Sequence, residues 1–200
     1  SGGPMKQDLL VHYDAIVLNY LTSAHFGTGD FLAPANWQKM YGPWYLYVNT
    51  GDELTVIRDA KARATVEAKK WPYTWVKEEQ YPLKRGTVSG RLVMTQARSA
   101  GGAEVILAGP GVDIQHEKAG YIFYTQADKD GKFTLKNVRP GNYELTAYMQ
   151  SGAITQELKK TGIAVKPGRT VLGEVTWNPP VRQKIWQLGK SDRTAQEFQY

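Results

Sequence analysis

From residue 86 onward, short apolar runs recur between glycine- and proline-bearing turns, and within several of them apolar and polar positions alternate strictly. Phe133 and Leu135 alternate with Lys132, Thr134 and Lys136, and Tyr143, Leu145 and Ala147 alternate with Glu144 and Thr146. A period of two is what a half-buried strand needs, because successive side chains leave it on opposite faces. Seven runs of this kind lie at 86–93, 103–108, 121–125, 132–136, 143–148, 162–165 and 170–175. Gly101-Gly102, Gly109-Pro110-Gly111, Asp130-Gly131, Pro140-Gly141, Ser151-Gly152 and Pro167-Gly168 fall between them. This spacing predicts a small antiparallel β-sandwich with one face of each strand in the core and the other wet.

The text before residue 86 is different. Leu9 to Ala24 is rich in β-branched and aromatic residues with a polar break at Tyr13-Asp14, which predicts two strands or one long bent strand. His25-Phe26-Gly27-Thr28-Gly29-Asp30 has loop composition, and residues 44–48 (Trp-Tyr-Leu-Tyr-Val), entered through Gly42-Pro43, read as a buried strand. Thr50-Gly51-Asp52-Glu53 then supplies a helix start. Leu54, Ile57, Ala60, Ala64, Ala68 and Trp71 recur at helical spacing, which predicts one apolar face against the preceding sheet, and Pro72 ends the helix. Polar residues 76–85 and the prolines of 178–182 read as junctions, and 185–198 begins a further element. The chain therefore divides into 1–78, 84–177 and 182–200.

Composition narrows the function classes. The 200 residues contain no cysteine, so disulfide frameworks, thiolate nucleophiles and Cys-ligated metals are excluded, and thiol usage says nothing of compartment. No run of about 18 apolar residues is present, which excludes a transmembrane helix. A net charge of +6 suits a polyanionic partner, but the basic residues are dispersed and occur at most as pairs such as Lys69-Lys70 and Lys159-Lys160. That is a solvated surface rather than a nucleic-acid stripe, and neither nucleic acid nor membrane is expected as a partner. A start at Ser1 and a stop at Tyr200, just after a new element opens, suggest a stretch of a longer protein.

Candidate chemistry rests on few residues. Of the three histidines, His25 stands where an apolar strand gives way to a glycine-rich loop, a place from which a side chain can face a cleft. His12, among Leu9, Leu10 and Val11, reads as a strand residue. His116, beside Glu117, lacks a second histidine at ligand spacing and reads as part of a surface loop. Asp128-Lys129-Asp130-Gly131 resembles a calcium-loop opening, but the alternation that follows and the missing later glutamate make it a hairpin turn. No phosphate loop and no nucleophile elbow occurs, and no metal or cofactor is expected. The six tryptophans and twelve tyrosines could stack on sugar rings, although most lie in predicted strands and read as core.

Taken together, several segments resemble one family. Ser1-Gly2-Gly3-Pro4 with Lys6-Gln7-Asp8-Leu9, then Ser23-Ala24-His25-Phe26, Trp37 with Tyr41-Gly42-Pro43-Trp44, Tyr47-Val48-Asn49 and Trp71-Pro72-Tyr73 resemble the end of the catalytic domain of polysaccharide lyase family 4. Arg85-Gly86-Thr87-Val88-Ser89-Gly90-Arg91-Leu92, with Phe133-Thr134-Leu135 and Asn137-Val138-Arg139-Pro140-Gly141-Asn142-Tyr143, resembles its fibronectin type III-like second domain. Ile185-Trp186-Gln187-Leu188-Gly189 with Asp192-Arg193-Thr194-Ala195 resembles the entry to its carbohydrate-binding-like jelly roll. The implied fold is mainly β: the end of a β-sandwich catalytic domain with one helix, followed by a seven-stranded fibronectin III-like or prealbumin-like sandwich.

The resemblance implies a rhamnogalacturonan endolyase, a carbon–oxygen lyase cutting the pectin backbone by β-elimination, with a base abstracting the proton at C5 of galacturonate. His25 matches the family's catalytic histidine, with Tyr20 as a supporting hydroxyl and His12 as the alternative. The family's lysine and arginine belong to an earlier part of the catalytic domain, so this stretch alone is expected to be inactive. The implied substrate is rhamnogalacturonan I, the implied state a monomer, and the implied location outside the cell. The competing reading is a non-catalytic carbohydrate-binding or structural sandwich spanning 86–177. An accessory domain of the carboxypeptidase-regulatory kind also fits Asp130-Gly131 with Phe133 and Pro140-Gly141 with Tyr143.

Overall fold

A computed structural model describes residues 32–96, 98–114 and 116–190, together with the backbone of 9–12 and 16–19. Strands β1 (Leu9–His12) and β2 (Ile16–Asn19) form an antiparallel pair, with Leu9 opposite Asn19 and His12 opposite Ile16. Of the two sequence alternatives for this segment, two strands is the one adopted.

The chain divides into two compact units, Gln38–Lys84 and the residues on either side of it. The smaller unit is built on helix α1 (Glu53–Lys70). Asp52 caps it, its carboxylate accepting from the Thr55 N–H at 2.9 Å, while Glu53 and Lys69-Lys70 place acid at the positive end and base at the negative end of the helix dipole. Trp71 leaves the helix in an extended conformation, as the residue before Pro72 must.

The orientation of α1 corrects the sequence expectation. Its apolar stripe is open: Leu54 is 77% exposed, and Ile57, Ala60, Ala64, Ala68 and Trp71 are exposed as well. The covered face is the polar one, running through Thr55, Asp59, Arg63 and buried Glu67. Hydrogen bonds explain the inversion. Tyr47 donates to Asp59 at 2.7 Å, Asn49 donates to the Val56 carbonyl and to Asp59, and Tyr73 donates to Glu67 at 3.0 Å.

Residues 44–48 are a second correction, because they form no strand and all five are exposed. A strand exists only by pairing, and among the described residues none lies in a ladder with this segment.

The larger unit holds the sandwich. Strands β3 (Gly86–Met94), β6 (Lys132–Val138) and β9 (Gly168–Trp177) form one sheet in the order β6-β3-β9, with β3 antiparallel to β6 and parallel to β9. Strands β4 (Glu104–Ala108), β5 (Phe123–Gln126), β7 (Gly141–Tyr148) and β8 (Leu158–Val165) form the other, in the antiparallel order β5-β4-β7-β8. The seven strands are those the alternation predicts. Val88, Leu92, Leu135, Leu107, Leu145 and Trp177 lie in the shared core. Gly90 sits at a register shift in β3, where a Cβ would stand 2.8 Å from the Phe133 ring, so a larger residue there would force that ring to move.

Two expectations about the sandwich fail: it is not wholly antiparallel, because β3 runs parallel to β9, and its strands are not all wet on one face. The outer face of the four-stranded sheet is not fully wet, since Ile106, Ala108 and Tyr148 are buried under Ile114 from the 109–122 loop. That loop is held by the Trp37 indole N–H donating to the Ala119 carbonyl at 3.0 Å and by the Arg139 guanidinium lying 3.7 Å from the centre of the Tyr121 ring. Asp128-Lys129-Asp130-Gly131 is the turn between β5 and β6, with the Asp128 carboxylate accepting from the N–H groups of Asp130 and Lys132. At the sheet edge, β8 presents Lys159 and Lys160 to solvent, a charge pair that discourages further strand pairing.

Candidate functional site

His25 and Tyr20 lie outside the described residues. His12 ends β1, paired in register with Ile16. His116 sits exposed in the 109–122 loop, its backbone N–H donating to the Asp113 carbonyl at 2.8 Å.

The described residues offer a different candidate, a depression carried wholly by the helical unit. A depression of about 400 Å³ is lined by Trp44, Tyr45, Arg63, Glu67, Lys70, Tyr73, Thr74 and Trp75. That size falls in the range of small-ligand clefts. Three local features build it. Arg63, Glu67 and Lys70, at spacings of four and three, project from one face of α1. The Pro43 segment brings Trp44 and Tyr45 alongside, and the chain leaving the helix at Pro72 returns Tyr73, Thr74 and Trp75 to the rim.

Glu67 is the electrostatic centre. Its carboxylate accepts from Lys70 at 2.9 Å and from the Tyr73 hydroxyl at 3.0 Å, and Arg63 stands 3.4 Å away. These partners, Lys70 foremost, hold its carboxyl below the usual carboxylate range, so it is ionised at neutral pH. Burial, and then the bond to Glu67, push the Tyr73 phenol up, which keeps it a proton donor. Arg63 donates from Nε to the Tyr45 hydroxyl at 2.8 Å and also lies over the Tyr45 and Tyr47 rings. With Arg63 and Lys70 positive and Glu67 negative, the lining carries a net charge of 2 − 1 = +1.

Aromatic surface completes the rim. Trp75 is 66% exposed and Trp44 61% exposed, and Tyr73 packs against Trp75 with ring centres 5.7 Å apart. The sequence expectation that most aromatics are core therefore fails at both tryptophans. The signal available in the sequence was the spacing of Arg63, Glu67 and Lys70 together with Trp75 just after Pro72. The stronger apolar periodicity of the opposite helix face masked it.

A fibronectin-like sandwich together with a helical unit that carries an aromatic and cationic depression defines the class: a mainly β, multi-unit protein. Comparisons with known proteins show what the chain is similar to. Residues 84–172, most of the sandwich, match the family model described as polysaccharide lyase family 4, domain II. Over all of its 200 residues the chain is 41% identical to the rhamnogalacturonate lyase of Dickeya dadantii (strain 3937), covering 34% of that protein. It is 28% identical over 210 residues to rhamnogalacturonate lyase B of Emericella nidulans, covering 100% of this chain and 31% of the relative. The chain thus spans about a third of the length of these curated relatives. Among solved structures, a chain of a type II cohesin–X–dockerin complex from Acetivibrio cellulolyticus aligns with a TM-score of 0.29 at 19% identity, over 44% of this chain and 52% of its own. A likeness so slight carries no argument.

Proposed function

We propose that the chain is part of a rhamnogalacturonan endolyase that cuts the rhamnose–galacturonate backbone of pectin by β-elimination. The observation that carries this reading is the 41% identity to the Dickeya rhamnogalacturonate lyase in an alignment that covers all 200 residues of the chain. In the reaction a base removes the C5 proton of galacturonate, the C4–O4 bond breaks, and the departing oxygen takes up a proton. The products are an unsaturated uronate and a shortened chain. The developing enolate on the carboxylate calls for cationic or hydrogen-bonding groups nearby.

His25 is our candidate for the base, with Tyr20 supporting it and His12 as the alternative, because His25 stands in the Ser23-Ala24-His25-Phe26 segment that resembles the family's motif. Among its described residues the sandwich at 84–177 carries no cluster of base and nucleophile, and we assign it the role of a spacer between flanking domains. Secretion is our inference from the substrate, rhamnogalacturonan I, which lies outside cells, and a monomer is the state we propose.

The test uses the full-length enzyme, following the ultraviolet absorbance of the unsaturated uronate released from rhamnogalacturonan. His25→Ala is expected to lower kcat by about 10²–10⁴-fold, the usual contribution of a general base. Unchanged turnover would move the base to His12 or elsewhere. Absence of absorbance from the wild-type enzyme would end the lyase reading.

A further inference from the structure

We propose that the depression between Trp44, Lys70 and Trp75 is a saccharide subsite, separate from the histidines, that holds a uronic-acid unit of an anionic polysaccharide. Its ring lies against the Trp75 indole and its carboxylate lies on Lys70 and Arg63. The inference rests on the polysaccharide reading above but assigns residues which that reading does not use.

Three observations carry it. First, both indoles at the rim present large apolar surface to solvent, Trp75 at 66% and Trp44 at 61% exposure, although such surface is ordinarily buried. The CH-rich face of a sugar ring is the ligand surface that matches a flat, exposed aromatic beside polar groups. Second, the charge balance selects the sign of the ligand. Glu67 lies beneath its cationic neighbours, with a side chain only 11% exposed, whereas those of Lys70 and Arg63 are 53% and 40% exposed. An entering group therefore meets the cations first, and the excess positive charge favours a carboxylate. Third, the cations are pre-positioned. Arg63 is pinned by the Tyr45 hydroxyl and Lys70 by Glu67, so little side-chain freedom is lost when a carboxylate arrives. A stack and a charge-assisted hydrogen bond on one sugar unit would fix its orientation as well as its affinity.

The test is a calorimetric titration of the 200-residue chain with a short rhamnogalacturonan backbone oligosaccharide and with the same oligosaccharide after its carboxyl groups are reduced to alcohols. Trp75→Ala and Lys70→Gln change exposed side chains, and each is expected to weaken binding of the acidic oligosaccharide by about tenfold. The carboxyl-reduced oligosaccharide should bind the wild-type chain about tenfold more weakly, with no further loss in Lys70→Gln. Binding that neither substitution weakens overturns the subsite while leaving the polysaccharide reading intact. Equal binding of the acidic and reduced forms overturns the uronate assignment. No binding of either form by the wild-type chain overturns the subsite, and the absorbance assay on the full-length enzyme decides the lyase reading separately.

Discussion

Tyr143 shows how much one side chain can tie together. Its ring packs edge-on against Phe123 in the sandwich core, and its hydroxyl donates to the Arg139 carbonyl at 2.9 Å, fixing the turn that launches β7. Burial pushes its phenol up to about 12. A raised folded-state value means that this contribution is complete below the unfolded tyrosine value and is lost as pH rises through the folded one. Tyr143→Phe is therefore expected to cost about 1 kcal/mol at neutral pH in urea unfolding. The variant should also show a shallower loss of stability across the alkaline range below about 12. Gly131 is the matching backbone case. It has φ +77, and a Cβ there would clash with the Leu92 carbonyl oxygen, whereas Gly152 has φ +88 and open space around it. Both alanine variants bear the left-handed penalty of about 1–2 kcal/mol, so the excess loss in Gly131→Ala over Gly152→Ala, read from paired denaturation curves, measures the clash.

At the scale of elements, α1 is the instructive case. Its boundaries were legible, because Asp52 and Glu53 open it and Pro72 closes it, and those signals are local. Its orientation was not. Periodicity of Leu54, Ile57, Ala60, Ala64 and Ala68 ranks faces by hydrophobicity, while the observed packing is decided by hydrogen bonds from Tyr47, Asn49 and Tyr73, which no helical wheel contains. The sandwich strands were legible because their partners lie within the same stretch of chain, so alternation and burial agree in β6. Residues 44–48 have strand composition but no paired neighbour among the described residues, and composition alone cannot supply one. The polar seat of α1 has a consequence in acid. Hydrogen bonds from Lys70 hold Glu67 below its ordinary carboxyl value, and those from Tyr47 and Asn49 do the same for Asp59. A lowered folded value places the stabilisation above the unfolded value and removes it as pH falls through the folded one. Helical circular dichroism should accordingly decline on acidification below the ordinary carboxylate range. Glu67→Gln should lower stability at neutral pH and flatten that decline, and a decline of unchanged depth would show that the network does not hold the helix.

At the scale of the whole molecule, the division into units states what ought to fold alone. The sandwich's main core cluster is drawn from residues of β3 to β9 and the loops between them, all within 84–177. Among the hydrogen bonds that cross those limits, the Trp37 indole donates to the Ala119 carbonyl and Arg98 donates to the Pro179 carbonyl. Excising 84–177 severs both while leaving the sheets whole. At about 1 kcal/mol for each hydrogen bond, the excised segment should unfold cooperatively, about 2 kcal/mol less stable than the same sandwich in the 200-residue chain. Its backbone amide spectrum should overlay that of the parent except around Ala119 and Arg98. Since it lacks the Trp44, Lys70 and Trp75 cleft, it should also fail to bind the acidic oligosaccharide. A well-folded excised sandwich that bound the oligosaccharide as tightly as the parent chain would transfer recognition to domain II and make the helical unit a structural appendage. An excised segment that failed to fold would show that the flanks complete the sandwich rather than merely adjoin it.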